Sequence, residues 1–410
     1  MARKMKDSGI EWIGEIPEGW RTINPKALFT QRKDKAQKGE RQLTSSQQYG
    51  ILYQDDYMEL TGSKVVTVEK DFDILKHVEA GDFVISMRSF QGGLEYSTNS
   101  GAISSAYVML VPNLELVYPR FYRWLLKSSV YIDALQRTTN MVRDGQAMRY
   151  SNFAQVRLFT LPLDEQKSRA DFLDLECSSI DKILFKTRSS IEEYKKLKQA
   201  VITQAVTKGV RGEREMKDSG VEWAGLVPHH WGVAKIGSIG QTSSGATPLR
   251  SKEASFFDDA TIRWVRTLDL NDGLVYDSSE KITKLALASS ACSIMPKGTV
   301  CVAMYGGAGT IGKCGLLMSD CATNQAVCSI VCNREIVSPI FLLMQLLALK
   351  SYWMKYAVGT RKDPNISQDV VARMKILIPP LDEQEEIADY LDAKCAEIDK
   401  LIAKKEQLVK

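Results

Sequence analysis

Met5-Lys-Asp-Ser-Gly-Ile-Glu-Trp12 returns as Met216-Lys-Asp-Ser-Gly-Val-Glu-Trp223, 211 residues later, with one Ile/Val change. Pro17 and Trp20 return with it as Pro228 and Trp231. A second block behaves in the same way. Leu161-Pro-Leu-Asp-Glu-Gln166 is echoed by Pro379-Pro-Leu-Asp-Glu-Gln384, and Ile180-Asp-Lys-Ile183 by Ile398-Asp-Lys-Leu401, at an offset of 218. Two blocks repeated in the same order mark a duplicated unit. The chain therefore reads as tag, variable body, helix, then tag, variable body, helix. The connecting parts stayed alike while the bodies diverged. Two unlike bodies in equivalent frames suit two different ligands presented with similar geometry.

The helices are the firmest elements. Leu163 to Lys208 holds neither Pro nor Gly, Pro162 precedes it, Asp164 and Glu165 fall in its first turn, and Gly209 follows. These are helix start and stop signals. Positions 173, 177, 180, 184, 187, 191, 194, 198, 201 and 205 alternate by four and three and are mostly apolar, which is a heptad seam. The second copy carries Leu391, Cys395, Ile398, Ile402, Lys405 and Val409 in that phase. A helix of ~40 residues is about 60 Å long, too long for one small body to cover. The two helices are expected to pack on each other. The alternative, each helix lying on its own body, stays open. By the offset of 218, Lys410 corresponds to position 192, so residues 193–208 of the first helix have no counterpart in the second. That raises the question of whether the shorter copy is a truncation.

Both bodies read as α+β. Short strands are expected at Val65–Val68, within Gly81–Met87, at Tyr107–Val111, within Gly298–Tyr305 and at Ala326–Val331, and helices around Phe121–Leu135 and Pro339–Tyr356.

The chain has 410 residues, enough for two or three domains. At 44% hydrophobic and 25% charged it is an ordinary globular composition. No stretch reaches the ~20 apolar residues of a membrane helix, and the charged start Met1-Ala-Arg-Lys-Met-Lys-Asp has no apolar core behind it. A cytoplasmic protein is expected. Of eight cysteines, five lie between 301 and 332, with no C-x-x-C pair and only His77, His229 and His230 as histidines. Reduced, buried strand thiols are expected rather than a metal site.

Catalytic signatures are sparse. Gly307-Ala-Gly-Thr-Ile-Gly312-Lys313-Cys314 approaches the phosphate-loop pattern, but Cys314 stands where a hydroxyl must reach Mg²⁺, and no convincing helix opens after it. It reads as a Gly-rich turn between strands, with a P-loop NTPase as the competing enzyme reading. A coiled-coil scaffold that binds only proteins is a third. There is no G-x-S-x-G and no H-E-x-x-H. Asp363-Pro364-Asn365 lacks the second proline and the aromatic of the amino-methyltransferase motif. Asp164-Glu165 reads as helix N-terminal charge, and His229-His230 as loop.

Binding remains. Residues 21–149 carry 17 Lys+Arg against 14 Asp+Glu, and 232–378 carry 16 against 11, so both bodies are mildly basic. Lys26, Arg32, Lys33, Lys35, Lys38 and Arg41 cluster, Arg143 and Arg149 flank Gly145, and Arg361-Lys362 follows Thr360. Such loops suit phosphates. Arg88 and Gln91 flank Ser89 and Phe90 on a turn. Arg reads guanine, and Gln reads adenine, through paired hydrogen bonds in the major groove. Any one of these taken singly reads as a solvated charge; their recurrence in both halves is what points to nucleic acid.

With the tags Lys6 to Trp20 and Lys217 to Trp231, the two Leu-Asp-Glu-Gln blocks and their helices, and Gly245-Ala-Thr-Pro248 with Ile262-Arg-Trp-Val265, the chain resembles the specificity subunit of type I restriction-modification systems. The resemblance spans essentially the whole chain. It implies two tandem target-recognition domains, each reading half of a split double-stranded DNA site. It also implies two long helices forming an antiparallel coiled coil, and a pseudo-twofold internal repeat. The implied boundaries are 1–162, 163–215, 216–380 and 381–410. Candidate DNA-contacting residues are Arg32, Lys33, Arg88, Ser89, Phe90, Gln91, Arg143, Arg149, Tyr305, Thr310, Lys313, Thr360, Arg361 and Lys362. Two modification (methyltransferase) subunits would dock on the helices, at Leu173, Ile180, Leu184, Ile191, Tyr194, Leu391, Ile398 and Ile402, and restriction subunits would join the larger complex. The chain itself would be non-catalytic, with S-adenosylmethionine, ATP and Mg²⁺ on partner subunits.

Overall fold

In the computed structural model the tag strand Met5–Asp7 pairs antiparallel with Glu15–Pro17, Met5 opposite Pro17, and its copy Met216–Asp218 pairs with Leu226–Pro228, Met216 opposite Pro228. The same residues thus build the same hairpin twice. The structure describes residues 3–68, 72–86, 94–138, 149–306, 309–359 and 364–409. The chain divides into two compact units, Met1–Lys182 and Ile183–Lys410.

In the first unit, strands β1 (Phe29–Arg32), β2 (Phe83–Ser86), β3 (Leu94–Tyr96) and β4 (Tyr107–Pro112) form an antiparallel sheet in the order β1-β4-β2-β3. Leu28, Phe29, Phe83 and Ile85 bury their side chains against helix α1 (Pro119–Leu125), whose Phe121 and Tyr122 face inward. Phe29 stands edge-on to Phe83, Tyr122 and Phe153, geometry that suits the aromatic quadrupoles. Pro119 starts α1 without losing a bond, because the first N–H of a helix has no intrahelical acceptor. The expected helix over 121–135 is two helices, the second being Ser129–Gln136.

Val65–Val68 is not a strand. Its β-branched residues favour extended backbone, but among the described residues no strand pairs with it. Val68 instead exchanges two bonds with the Gln42 side chain, N–H to Oε1 at 2.9 Å and carbonyl from Nε2 at 2.8 Å. Val66 is left exposed.

Helix α2 (Leu163–Lys208) runs 46 residues and leaves the first unit within its length. Gly209 ends it at φ +74, the left-handed conformation that glycine adopts without a Cβ clash.

The second unit repeats the sheet order. Strands β5 (Gly240–Ser244), β6 (Gly273–Val275), β7 (Val300–Ala303), β8 (Cys314–Leu317) and β9 (Val327–Cys332) run β5-β9-β7-β8-β6, the last pair parallel. Strands β5, β9, β7 and β8 stand in the places of β1, β4, β2 and β3. Helix α3 (Pro339–Ala348) is almost wholly buried. The expected continuation to Tyr356 is a separate 3-10 turn at Trp353–Lys355.

All eight cysteines are free thiols. Burial pushes Cys301 and Cys328 up to about 12 and raises Cys314 further, so these behave as small apolar side chains.

Helix α4 (Leu381–Val409) packs on α3 and meets the second-unit part of α2 through side chains. Lys198 donates to Asp399 at 2.6 Å, the Lys405 ammonium sits 5.7 Å from the Tyr194 ring, and Arg211 pairs with Asp382 and Glu386. Positions on α2 that rise in number meet positions on α4 that fall, so the two helices are antiparallel. Helix α4 therefore does both things entertained for it: Ile387 and Leu391 enter the core of its own unit, and its outer turns pair with α2.

Candidate nucleic-acid interface

At one end of the second-unit sheet, four connections meet. The β7–β8 turn begins at Met304, whose N–H donates to Ala326 O at 2.8 Å. Ile366 N–H donates to Met304 O at 3.0 Å. That bond roots the hairpin Val358–Gly359/Pro364–Asn365 beside the turn. The loop after β5 is pressed onto the Thr323–Ala326 connection, because a Cβ on Gly245 would collide with Thr323 O. Thr247 then hydrogen-bonds Gln325 through their side-chain oxygens.

The described residues at the end of the β7–β8 turn are anchored by backbone bonds. Gly312 N–H donates to Ala303 O at 2.9 Å and Lys313 N–H to Thr310 O at 3.0 Å. Gly312 has φ +78, and a Cβ there would run into the buried Trp353 ring. Both requirements select glycine. This accounts for the spacing that imitates a phosphate loop. Lys313 leads directly into β8, with Cys314 buried opposite Val302, and no helix N-terminus follows to cradle phosphate. Tyr305 is exposed, and Thr310 and Lys313 are half-buried. Thr360, Arg361 and Lys362 lie outside the described residues, between the two strands of the hairpin.

In the first unit the matching turn joins β2 to β3. Arg88, Ser89, Phe90 and Gln91 fall between them, outside the described residues, as does Arg143. The ends of the segment holding Arg143 are tied together: Asn152 Nδ2 donates to Thr138 O at 2.8 Å, and exposed Arg149 donates its N–H to Asn152 Oδ1 at 3.0 Å. Within β3, Glu95 is buried and ion-paired with Lys127 at 2.6 Å, and its Oε1 has no partner among the described residues. Burial raises its pKa against the pull of Lys127.

Arg32 and Lys33 part company. Arg32 Nε and Nη2 grip Asp82 at 2.6 and 3.0 Å, and Nη1 reaches Asp34 at 2.9 Å. Its guanidinium is half-buried over a buried carboxylate, and the hydrogen bonds it donates to Asp82 raise its pKa. The fork that a guanine edge would need is already occupied within the chain. Lys33 is exposed.

Of the docking positions, Ile191, Leu391 and Ile398 are buried, Leu173, Leu184, Tyr194 and Ile402 are half-buried, and Ile180 is exposed. Helix α2 also exposes Phe172, Leu175, Ile183 and Phe185, which the heptad phase does not include.

Gln325, Thr247, Trp353 and Glu95 were missed in the sequence. Their spacing carries no motif, and only the fold brings them to the loop-bearing ends of the sheets.

Residues 228–410 match the family described as Type I restriction modification DNA specificity domain. That stretch of the chain is similar to the type I specificity subunits. The specificity subunit of the MjaIX type I restriction enzyme of Methanocaldococcus jannaschii is 27% identical over 44% of this chain and 41% of its own length, so that match spans about two fifths of the relative. The MjaX specificity subunit of the same organism is 21% identical over 97% of this chain and 92% of its own. Two solved structures share this chain's fold. One, from work on complex assembly and conformational transition of the type I R-M system, has a TM-score of 0.71 at 15% identity, covering 96% of this chain and 94% of that one. The HsdS subunit from Thermoanaerobacter tengcongensis has a TM-score of 0.53 at 14% identity, covering 96% and 93%. No helix among the described residues is long and apolar enough to cross a membrane.

Proposed function

We propose that the chain is the sequence-reading, non-catalytic subunit of a cytoplasmic type I restriction-modification complex. Each unit reads one half of a bipartite double-stranded DNA site through the turns at one end of its sheet. The observation that carries this reading is a shared strand order ending in loops of unlike sequence, β2–β3 in one unit and β7–β8 in the other. A constant frame with variable loops is what two different half-sites require.

Helices α2 and α4 act as an antiparallel coiled coil in a pseudo-twofold repeat. They set the spacing between half-sites and dock two modification subunits, with restriction subunits joining the larger assembly. The exposed apolar side chains Phe172, Leu175, Ile183 and Phe185 are surface that such partners would cover. S-adenosylmethionine, ATP and Mg²⁺ belong to the partners. Arg88 and Gln91 are assigned to base edges, and Lys33, Arg143, Arg149, Arg361 and Lys362 mainly to phosphates. Arg32 is assigned to fastening the turn at Asp82 onto β1.

Methylome sequencing of cells carrying this chain with its modification subunits tests the reading. A split methylated motif that disappears when the chain is deleted is expected. Methylation without the chain, or a continuous motif, would overturn it.

A further inference from the structure

Both units carry the same short turn in the same place, and it presents a different side chain in each. In the second unit Asn324, Gln325 and Ala326 lead into β9; in the first, Ser104, Ser105 and Ala106 lead into β4. The bonds inside the turns correspond. Ala326 N–H donates to Asn324 Oδ1 at 3.2 Å and Val327 N–H to Asn324 O at 3.2 Å. Ala106 N–H donates to Ser104 Oγ at 3.3 Å and Tyr107 N–H to Ser104 O at 3.1 Å. The surroundings correspond too. Val327 stands opposite Ala303, where β7 enters its turn, and Tyr107 opposite Ser86, where β2 enters its own. The segment before each turn lies parallel to another, Ala322 opposite Trp264 and Ala102 opposite Gln42.

Gln325 is the exposed middle of a turn whose backbone is held on both sides. Asn324 N–H donates to Val265 O at 3.1 Å, Ala246 N–H to Thr323 O at 3.1 Å, and Met304 N–H to Ala326 O at 2.8 Å. The side chain is oriented as well. The Thr247 hydroxyl donates to Gln325 Oε1, which leaves the two N–H groups of Nε2 without a partner among the described residues.

We propose that Gln325 reads a base in the second unit's half-site, donating from Nε2 to a major-groove acceptor: a purine N7, guanine O6 or thymine O4. Thr247 is its positioning residue, and Ser105 holds the equivalent place for the other half-site. The inference rests on the DNA-reading function proposed above. A base is favoured over a phosphate for two reasons. A phosphate is the same in either half-site, yet one frame carries Gln and the other Ser. Holding Oε1 matters only where donor must be told from acceptor. Cytosine offers only an amino donor on that edge, so this arrangement excludes it.

Selection from a randomised double-stranded DNA library, by the full chain with its modification subunits, tests this. The wild type should exclude cytosine at one position of one half-site. Gln325→Glu keeps the oxygen that Thr247 holds but replaces the donors with an acceptor, so it should admit cytosine there, a change in preference of about tenfold. Thr247→Val should relax that one position and Thr247→Ser should keep it, while Ser105→Ala should alter only the opposite half-site. Melting temperatures of these variants should match the wild type. A wild-type split motif that Gln325→Glu leaves unchanged would overturn the inference and make Gln325 a tie for the Thr247 loop. A loss spread evenly over all sequences would overturn it in favour of a phosphate contact. A wild type that selects no split motif would overturn the function itself, and this inference with it.

Discussion

The Trp231 indole N–H donates to Glu383 Oε2 at 3.1 Å across 152 residues of sequence, fastening the second tag to the first turn of α4. Trp20 makes the same bond to Glu165 at 3.2 Å at the start of α2. The repeated blocks are thus the two halves of a clasp. Gln166 and Gln384 complete it, donating to Leu161 O and Pro379 O and accepting from the N–H groups of Tyr118 and Ser338.

The two clasps differ in burial, so their loss should differ. The Glu383 side chain is 0% exposed and faces Arg214 and His230, whereas that of Glu165 is 20% exposed. Glu383→Ala should cost about 3–5 kcal/mol, because Arg214 is left buried and unpaired. Glu165→Ala should cost about 1–2 kcal/mol. Urea unfolding of both variants measures the difference.

Acid should open the Glu383 clasp. Burial pushes its carboxyl up, but hydrogen bonds from His230, Arg214 and Trp231 outweigh that and hold it below the ordinary 4.5. The unfolded chain therefore takes up the proton first as pH falls. The stabilisation is complete above the unfolded value and is lost as pH drops through the folded one. Below pH 4.5 the wild type should lose more stability than Glu383→Gln; parallel melting curves against pH would contradict this.

His77 works in the opposite sense. Burial lowers its pKa, but hydrogen bonds to Glu40 and Glu79 raise it above 6.5. Its contribution is whole below 6.5 and fades as pH rises through the folded value. His77→Gln should remove that decline, read from thermal melts across the neutral range.

Arg32 and Lys33 should separate stability from binding. Arg32→Ala leaves Asp82 buried without its cation and should cost about 3–5 kcal/mol in unfolding free energy. Lys33→Ala should leave the melting temperature unchanged and weaken binding to all DNA sequences alike, with a shallower salt dependence. Fluorescence binding isotherms at several salt concentrations check the second.

Arg88→Ala should weaken specific binding by about 1–3 kcal/mol and relax one base position of one half-site. A selection from randomised DNA reads the position. An equal loss on every sequence would make Arg88 a phosphate contact only.

Much of the fold was legible in order. The repeat, the bounds of α2, the strands at Phe83–Ser86 and Val300–Ala303, and the buried cysteines follow from local pattern. Val65–Val68 was not legible, because a strand needs a neighbour and the residues 65–68 have the Gln42 side chain instead. Nor was the role of Gly312, which the string Gly-Lys-Cys disguises and the Trp353 ring explains.

Local periodicity, helix caps and the duplicated tags are properties of neighbouring residues, so the chain's order alone determined two bodies and two long helices. Which cations are free and which are held depends on side chains distant in sequence arriving at one place. Arg32 is buried on Asp82 while Lys33 beside it stands in water, and only the packing of β1 against the turn before β2 decided that.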